Sequence, residues 1–286
     1  MKLVIKFAGA LLEDAATVKS LAEQVADLAA QGHEILVVHG GGRIFTATLK
    51  RLGIESKFVA GLRVTDRETR DAAVMVFAGL LNKQLAAAIT AAGQPALGIS
   101  AADARAFTAE PLVHNDVPGS LGFVGYLTGA NTSLIESLWA QNLLPVAACL
   151  GLGSDGELYN INADHMAAAC AEYLQADHLI YLTDVAGVLD GENVLANVAC
   201  EEIGALIQRK VVSGGMVLKL EAAARALAGG VRGVHIVGGT VSGGLAAAIR
   251  AAESDVVGEE IPGTRVSREP AAVTVAAAHS RARSAA

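Results

Sequence analysis

The chain has 286 residues and a formal net charge of −7, from 22 Lys and Arg against 29 Asp and Glu. Because contacts with nucleic-acid phosphates require a basic surface, this balance argues against a nucleic-acid-binding protein. No stretch of 18 apolar residues runs without a charged or polar break, so we expect no membrane span. The second charge comes as early as Lys6, too soon for a signal peptide, and the three cysteines form no CxxC pair. Both observations favour a cytoplasmic protein with free thiols.

Short aliphatic runs alternate with longer Ala- and Leu-rich segments, which is typical of βαβ units and predicts an α/β fold with a mainly parallel sheet. In the first hundred residues we predict strands at 3–7, 34–38 and 96–100, helices at 14–30, 42–52 and 67–92, and a loop or hairpin at 56–66. The last of these helices is expected to bury Met75, Leu80 and Leu85 on its apolar side.

The middle of the chain contains irregular segments, at residues 106–129 and 151–162, whose Gly, Asp and Pro content predicts hairpins. The remaining predicted elements are a helix at 131–141 capped by Asn131 or Thr132, a buried strand at 144–150, helices at 164–175, 200–209 and 216–228, and strands at 178–183 and 233–237. A change of composition near residues 176–178 is expected to separate two lobes of one sheet. Residues 267–286 lack any hydrophobic period, which predicts a disordered tail.

Glycine-rich motifs bear on function in two places. The GxGxxG of residues 151–156 leads into a polar run where a dinucleotide-binding fold needs a helix, so we interpret it as a hairpin turn; the P-loop motif GxxxxGK[ST] is absent. Gly40, Gly41 and Gly42 follow a predicted strand, and glycines let a backbone approach a ligand closely. If Gly42 begins the next helix, its N–H groups form an anion site. One alternative is the HGGG loop that forms the oxyanion hole of esterases, but the GxSxG motif that this chemistry also requires is absent. The other alternative is a tight strand-to-helix turn without a ligand.

Two lysines stand where a negative partner would favour them. Lys6 lies within the first apolar strand, where its burial is costly unless it meets an anion. Lys219 lies in the first turn of a predicted helix, where its charge opposes the helix dipole unless a polyphosphate lies nearby. The alternatives are a Lys6 whose ammonium reaches solvent at the strand end and an exposed Lys219.

A polar stripe and one arginine complete the set of candidate residues. In an extended chain Asn160, Asn162 and Asp164 share one face, which suits a polar ligand accompanied by a cation. Asp164 could instead only cap the following helix. Arg63 lies in a loop that begins with Gly61, where its guanidinium could hold a carboxylate through two hydrogen bonds or could simply be solvated.

The order of these motifs along the chain resembles the acetylglutamate kinase branch of the amino acid kinase family. The segments that carry the resemblance are Lys6 to Gly9, and residues 39–42, 61–66, 82–83, 159–164, 182–188 and 214–219. The resemblance runs from residue 2 to about residue 266. It implies a three-layer α/β/α sandwich around a mainly parallel sheet, in which residues 1–176 bind the acyl amino acid and carry a dimer interface and residues 177–266 bind ATP.

The reaction implied by this resemblance is the phosphorylation by MgATP of the side-chain carboxylate of N-acetyl-L-glutamate, giving N-acetyl-L-glutamyl 5-phosphate and ADP in arginine biosynthesis. Lys6 would then stabilise the phosphoryl group in flight, Lys219 the departing ADP, and Asp164 would hold both lysines. The residues implied in substrate binding are Gly41, Gly42, Arg63, Asn160 and Asn162. Those implied in ATP binding are Gly9, Thr183, Asp184, Gly187 and Gly215, with no dedicated protein site for the metal.

Several positions depart from the family pattern. Ala8 stands where a second glycine is usual and is expected to put a methyl group near the phosphate path, and Arg43 replaces a proline after the glycine run. Residues 237–245 lack the usual Asp-Gly-Arg and histidine, which concerns the ATP lobe. Two alternatives follow: a kinase for a related acylated or carrier-linked amino acid such as aminoadipate, since one methylene is worth only about 1–3 kcal/mol in a pocket, or a ligand-binding protein without turnover. The resemblance further implies an unregulated homodimer, with residues 67–92 at its interface.

Overall fold

A computed structural model describes residues 1–59, 61–113, 121–241, 243–254 and 262–268. The strands are β1 (Lys2–Phe7), β2 (Glu34–His39), β3 (Phe58–Val59), β4 (Leu62–Arg63), β5 (Ala96–Ile99), β6 (Phe107–Pro111), β7 (Val124–Ala130), β8 (Leu144–Ala148), β9 (Leu150–Gly153), β10 (Leu158–Ile161), β11 (His178–Thr183), β12 (Leu189–Asp190), β13 (Asn193–Val194), β14 (Asn197–Ala199), β15 (Gly233–Gly238) and β16 (Thr264–Ser267). The α-helices are α1 (Ala15–Ala30), α2 (Gly42–Leu52), α3 (Arg67–Ala73), α4 (Asn82–Ala91), α5 (Thr132–Ala140), α6 (Ala163–Tyr173), α7 (Ile203–Gln208), α8 (Gly215–Ala228) and α9 (Gly244–Ser254).

One eight-stranded sheet forms the middle of the fold, in the order β14-β16-β15-β11-β1-β2-β8-β5. Neighbouring strands are parallel throughout except β15 and β16. Helices cover both faces of the sheet, so the predicted three-layer α/β/α class is confirmed. The proposed lobe boundary falls between α6 and β11, yet β1 and β11 are direct neighbours in the sheet.

The alternation of side chains along β1 decides which layer each one meets. Leu3, Ile5 and Phe7 pack with residues of α1, α4 and α9 on one face. Val4 packs on the opposite face, with residues of α6 and α8. Because Lys6 shares a face with Val4, its side chain is directed at the layer that holds α6 and α8.

A small closed barrel of β6, β7, β9 and β10 flanks the main sheet. It contains the predicted hairpins: β6 pairs antiparallel with β7, and β9 pairs antiparallel with β10 around a turn at Gly156, whose φ is +82°. The hairpin expected within residues 56–66 is also present, as β3 and β4. The single strand predicted at 144–150 is divided, since β8 joins the main sheet and β9 the barrel. Residues 114–120 lie outside the described ranges.

The long helix predicted over residues 67–92 is continuous, but its middle, Val74–Leu81, is π-helical. The expectation that Met75 and Leu80 are buried was wrong: they are 61% and 47% exposed, while Leu85 is buried as predicted. The three residues are five positions apart, which spreads them by about 140° each around an α-helix, so one buried side could not hold all three. By length and composition the segment Arg67–Ala91 is long and apolar enough to cross a membrane, and half of its most apolar window is buried inside this fold.

Other differences from the predicted elements concern short or late segments. The hairpin of β12 and β13, the strands β14 and β16, and helix α9 were not predicted. The predicted helix at 200–209 is a 3-10 turn followed by α7. Ser267 ends β16 and does not begin a disordered tail; residues 269–286 lie outside the described ranges.

Candidate active site

Three buried charged side chains meet between the sheet and the α6–α8 layer. Lys6 Nζ lies 2.8 Å, and Lys219 Nζ 2.7 Å, from the same oxygen, Asp164 Oδ1. Each of the three residues is less than one-tenth exposed. The alternatives of a solvent-reaching Lys6 and an exposed Lys219 were therefore wrong, and the three residues predicted as the charged centre do converge.

Each member of this trio is placed by its own element. Asp164 is the second residue of α6, and the helix is capped by Asn162, whose side chain accepts from the N–H groups of Asp164 and His165. The alternative that Asp164 is the cap was therefore wrong. Lys219 stands in the second turn of α8, not in the first turn as predicted. Lys6 is placed by β1, which pairs with β2 on one side and β11 on the other.

Tyr181 supports the trio from β11, where it is in register with Lys6. Its hydroxyl donates to the main-chain oxygen of Asp164 at 3.1 Å, and Lys219 Nζ lies 4.6 Å from its ring centroid. Tyr181 was not among the residues predicted for the site. The available signal was a tyrosine in the apolar middle of a strand, since a buried phenol requires a hydrogen-bond partner.

The trio perturbs the acid–base properties of its members. Burial alone would raise the pKa of Asp164, but the charges and hydrogen bonds of Lys6 and Lys219 outweigh it and lower that pKa to about 2. Burial, together with repulsion from Lys6, lowers the pKa of Lys219 to about 8 against the attraction of Asp164. Near pH 7 the centre therefore holds two ammonium groups and one carboxylate, which is a net positive charge in a buried place.

The glycine run, residues 40–42, lies against the backbone at Gly9, just after β1. A Cβ on Gly9 would stand 2.8 Å from Gly41 Cα and 3.0 Å from Gly42 N, so only glycine fits there. Gly41 has a φ of +155°, and a side chain on it would collide with Leu81. Gly42 begins α2, which confirms the expected helix start with its free N–H groups.

A cavity of about 230 Å³ joins Lys6 and Asp164 to the glycine run, and Lys219 lies behind Asp164 without lining it. Of the predicted site residues, those that line it are Lys6, Gly9, Gly41, Gly42, Arg63, Asn160, Asn162 and Asp164. It also has apolar walls that the sequence analysis did not single out, among them Phe45, Phe58, Phe77 and Cys149. Ala8 packs against the α1–α4 core and is not a lining residue, so its methyl group does not enter this cavity.

Arg63 is 9% exposed and lies between two aromatic rings, 4.8 Å from the centroid of Phe45 and 4.5 Å from that of Phe58. Its guanidinium donates to Thr46 Oγ1 at 2.7 Å and to Ser56 Oγ. Burial lowers its pKa. Among the residues that the structure describes, no carboxylate pairs with this guanidinium, so a carboxylate ligand is the partner that its chemistry favours.

The residues predicted to bind the nucleotide do not line this cavity, apart from Gly9. Thr183 is buried at the end of β11, and its hydroxyl lies 3.3 Å from Asp184 Oδ1. The exposed Asp184 carboxylate is 3.3 Å from Arg43 Nη2. Gly215 is the first residue of α8, with open space where a side chain would stand, whereas Gly187 packs tightly against Thr264.

Comparison with known sequences relates the whole arrangement to one family. Residues 1–238 match the Amino acid kinase family. Acetylglutamate kinase of Koribacter versatilis is 52% identical over 243 residues, which cover 84% of this chain and 91% of that protein. Acetylglutamate kinase of Solibacter usitatus is 44% identical over 267 residues, which cover 93% of this chain and 99% of that protein.

Solved structures give the same fold. N-acetylglutamate synthase from Neisseria gonorrhoeae, complexed with coenzyme A and N-acetyl-glutamate, is 24% identical with a TM-score of 0.81, covering 94% of this chain and 60% of that one. The protein smu.665 from Streptococcus mutans UA159 is 27% identical with a TM-score of 0.79, covering 94% and 99%. Family match, relatives and fold agree, and the chain belongs to the amino acid kinase family.

Proposed function

We propose that this protein is a phosphotransferase that transfers the γ-phosphoryl group of ATP to the side-chain carboxylate of N-acetyl-L-glutamate, giving N-acetyl-L-glutamyl 5-phosphate and ADP for arginine biosynthesis. The observation that carries the proposal is the buried centre in which Lys6 and Lys219 share one oxygen of Asp164 beside the glycine run. The acetylglutamate kinases to which the chain is 52% and 44% identical support the choice of substrate.

Phosphoryl transfer to a carboxylate requires no general base, because the acceptor is already ionised. The protein has to position two anions and stabilise the charge that spreads over the transferring group and the leaving ADP. Lys6, on the cavity wall, neutralises the transferring phosphoryl group. Lys219 contacts Asp164 from the α8 side and neutralises the leaving oxygen. Asp164 holds the two ammonium groups within hydrogen-bond distance of one point despite their mutual repulsion.

The acyl amino acid fits the cavity with its α-carboxylate on Arg63. The guanidinium is fixed by Thr46 and stacked on Phe45, so it can donate two parallel hydrogen bonds without ordering a free side chain. Asn160, whose amide donates to Thr65 Oγ1 at 3.2 Å, stands on the opposite strand β10 and offers its carbonyl to the acetamido N–H. The side-chain carboxylate is then directed toward Gly41 and the trio.

ATP approaches from the side of Thr183, Asp184 and Gly215, where α8 begins. Mg²⁺ accompanying ATP would supply charge neutralisation and alignment of the phosphate chain. Within the described part of the chain, no group of three His, Cys, Asp or Glu side chains is placed to hold a metal ion. The metal would arrive with the nucleotide, and Lys6 and Lys219 provide positive charge of the protein itself beside Asp164.

The enzyme acts as a cytoplasmic homodimer built on the edge of the sheet. Strand β5 ends the sheet, and its Leu97 is 42% exposed. Met75 and Leu80 are exposed on the π-helical segment that leads into α4, the helix packed on β5. Exposed apolar side chains on adjoining elements are typical of protein–protein contacts. A Leu80→Glu variant should sediment as a monomer if this face is the interface.

Hydroxamate trapping of an acyl phosphate tests the function directly. Purified protein is incubated with MgATP and hydroxylamine, and with either N-acetyl-L-glutamate or N-acetyl-aminoadipate. We expect a strong signal with the glutamate derivative. A signal confined to the longer substrate would transfer the same mechanism to that substrate, and no signal with either would refute the kinase proposal.

Asp164→Asn provides the matched variant, since it keeps the size and a hydrogen-bond acceptor but loses the charge. The two buried lysines then lack their counter-ion, and we expect kcat to fall by at least about 100-fold. The exposed Asp103→Asn serves as control, because Asp103 only accepts hydrogen bonds from Ser100 in a surface turn.

A further inference from the structure

His39 ends β2 directly before the glycine run, and its fully buried ring contacts the residue that follows it. Nδ1 lies 3.0 Å from Gly40 O, and Nε2 lies 3.2 Å from Asn82 Nδ2. A carbonyl oxygen only accepts and an amide nitrogen only donates, so Nδ1 carries the proton and Nε2 accepts. Burial lowers the pKa of His39 to about 4. The ring is therefore neutral near pH 7, in the single tautomer that holds the Gly40 carbonyl.

Asn82, the first residue of α4, fixes that tautomer. Its Nδ2 also donates to Val146 O at 2.8 Å, and a reversed amide would bring two carbonyl oxygens together at this point. Asn82 is fully buried, and its Oδ1 is without a hydrogen-bond partner in the described ranges. An unpaired buried oxygen costs stability. The two bonds that Nδ2 donates, to His39 and to Val146, are what offset that cost.

Cys149 fixes the peptide group between His39 and Gly40. Its Sγ lies 2.7 Å from His39 O in a position that is 1% exposed, so the thiol donates to this carbonyl. The next carbonyl, Gly40 O, is held by the His39 ring. The one after it, Gly41 O, accepts from Phe45 N in the first turn of α2 at 2.8 Å. Three successive carbonyl groups thus have fixed directions.

Fixed carbonyl groups determine where the amide hydrogens point. In a trans peptide the N–H is directed opposite to the C=O of the preceding residue. The bonds from Cys149 and His39 therefore set the directions of the Gly40 and Gly41 N–H groups. Gly41 N lies beside Gly9, 3.0 Å from the place of a Cβ, where both glycines line the cavity next to Lys6.

We propose that His39, Asn82 and Cys149 are positioning residues that aim the Gly40 and Gly41 amides at the transferring phosphoryl group. The inference rests on the proposed phosphoryl transfer and adds to it three residues that take no part in the chemistry themselves. A pre-oriented N–H stabilises the transition state most strongly where negative charge develops during the reaction. Loss of that orientation should therefore lower kcat while the KM values for both substrates stay nearly constant.

Asn82→Ala tests the tautomer lock at a residue that does not line the cavity, and Cys149→Ala tests the thiol. We expect kcat to fall about 10- to 100-fold in each, with both KM values within about threefold of wild type. Cys149→Ser keeps a donor and should restore kcat to within about threefold of wild type. Cys170→Ala is the control, because Cys170 is equally buried but lies within α6.

A second readout does not depend on turnover. In two-dimensional NMR spectra of protein labelled with [15N]glycine, Asn82→Ala and Cys149→Ala should move the Gly40 and Gly41 amide signals, and Cys170→Ala should leave them in place. Unchanged glycine signals, or a folded Asn82→Ala enzyme with wild-type kcat, would overturn the inference. If the wild-type protein shows no turnover, the proposed reaction is refuted instead. The glycine signals would then still decide whether these residues orient the loop.

Discussion

Lys219 serves the reaction at the expense of stability. Its pKa falls from 10.5 in a free lysine to about 8 in the fold, because burial and Lys6 outweigh the attraction of Asp164. At 1.36 kcal/mol for each pKa unit, the charged form is disfavoured by about 3 kcal/mol in the folded state, and this figure already contains the attraction to Asp164. Lys219→Met removes the charge and keeps the length of the side chain. Asp164 remains paired with Lys6 in this variant, so we expect the free energy of unfolding at pH 7 to rise, by at most about 3 kcal/mol.

The same variant should lose activity. In a domain of this size 1 kcal/mol corresponds to about 2 °C in Tm, so Lys219→Met should melt above wild type, by at most about 6 °C, in a circular dichroism scan. Its kcat in the hydroxamate assay should fall by at least about 100-fold. Lys19→Met, at a side chain that is 79% exposed, should leave both quantities nearly unchanged. If Lys219→Met melts below wild type, the trio stabilises the fold and the reasoning is refuted.

Three further predictions concern the same site. Because Lys219 acts in its charged form, kcat/KM should be constant below pH 8 and fall as pH rises through about 8; a profile without an inflection between pH 7 and 9 would contradict this. Arg63→Lys loses the paired guanidinium donors, so the KM for the acyl amino acid should rise about 10- to 100-fold while the KM for ATP stays constant. Gly9→Ala puts a Cβ 2.8 Å from Gly41 Cα and should lower both kcat and Tm, whereas Gly204→Ala in α7, with no atom within 4 Å, should lower neither.

The parts of the fold that the sequence predicts are those with a strong period. The runs around Ile5 and Leu36 are short and aliphatic with distinct ends, and both are strands of the main sheet. Helix α5 begins where Asn131 was expected to cap it, and its side chain accepts from Leu134 N. These segments are determined by local preferences, which a sequence displays directly.

The parts that could not be predicted depend on neighbours distant in sequence. The strand β14 has three residues and exists because β16 pairs with it, so its own composition contains no strand signal. Met75 and Leu80 lie in the π-helical segment, which the sequence does not signal, and their spacing of five residues does not match one face of an α-helix. In the site, Tyr181 and Cys149 were missed because each acts through a main-chain oxygen, on Asp164 and on His39, which no motif records.

The charge of the site explains why an acidic chain holds an uncompensated positive centre. Lys6, Asp164 and Lys219 carry two positive charges and one negative, and Arg63 adds a guanidinium that has no carboxylate partner among the described residues. Both substrates are anions. The negative charges of the substrates pair with the positive charges that the protein leaves without a partner. Each substrate binds better because folding has already buried the lysines, so that binding does not have to meet this cost. The instability attributed to Lys219 is thus the source of its affinity for the transferring group.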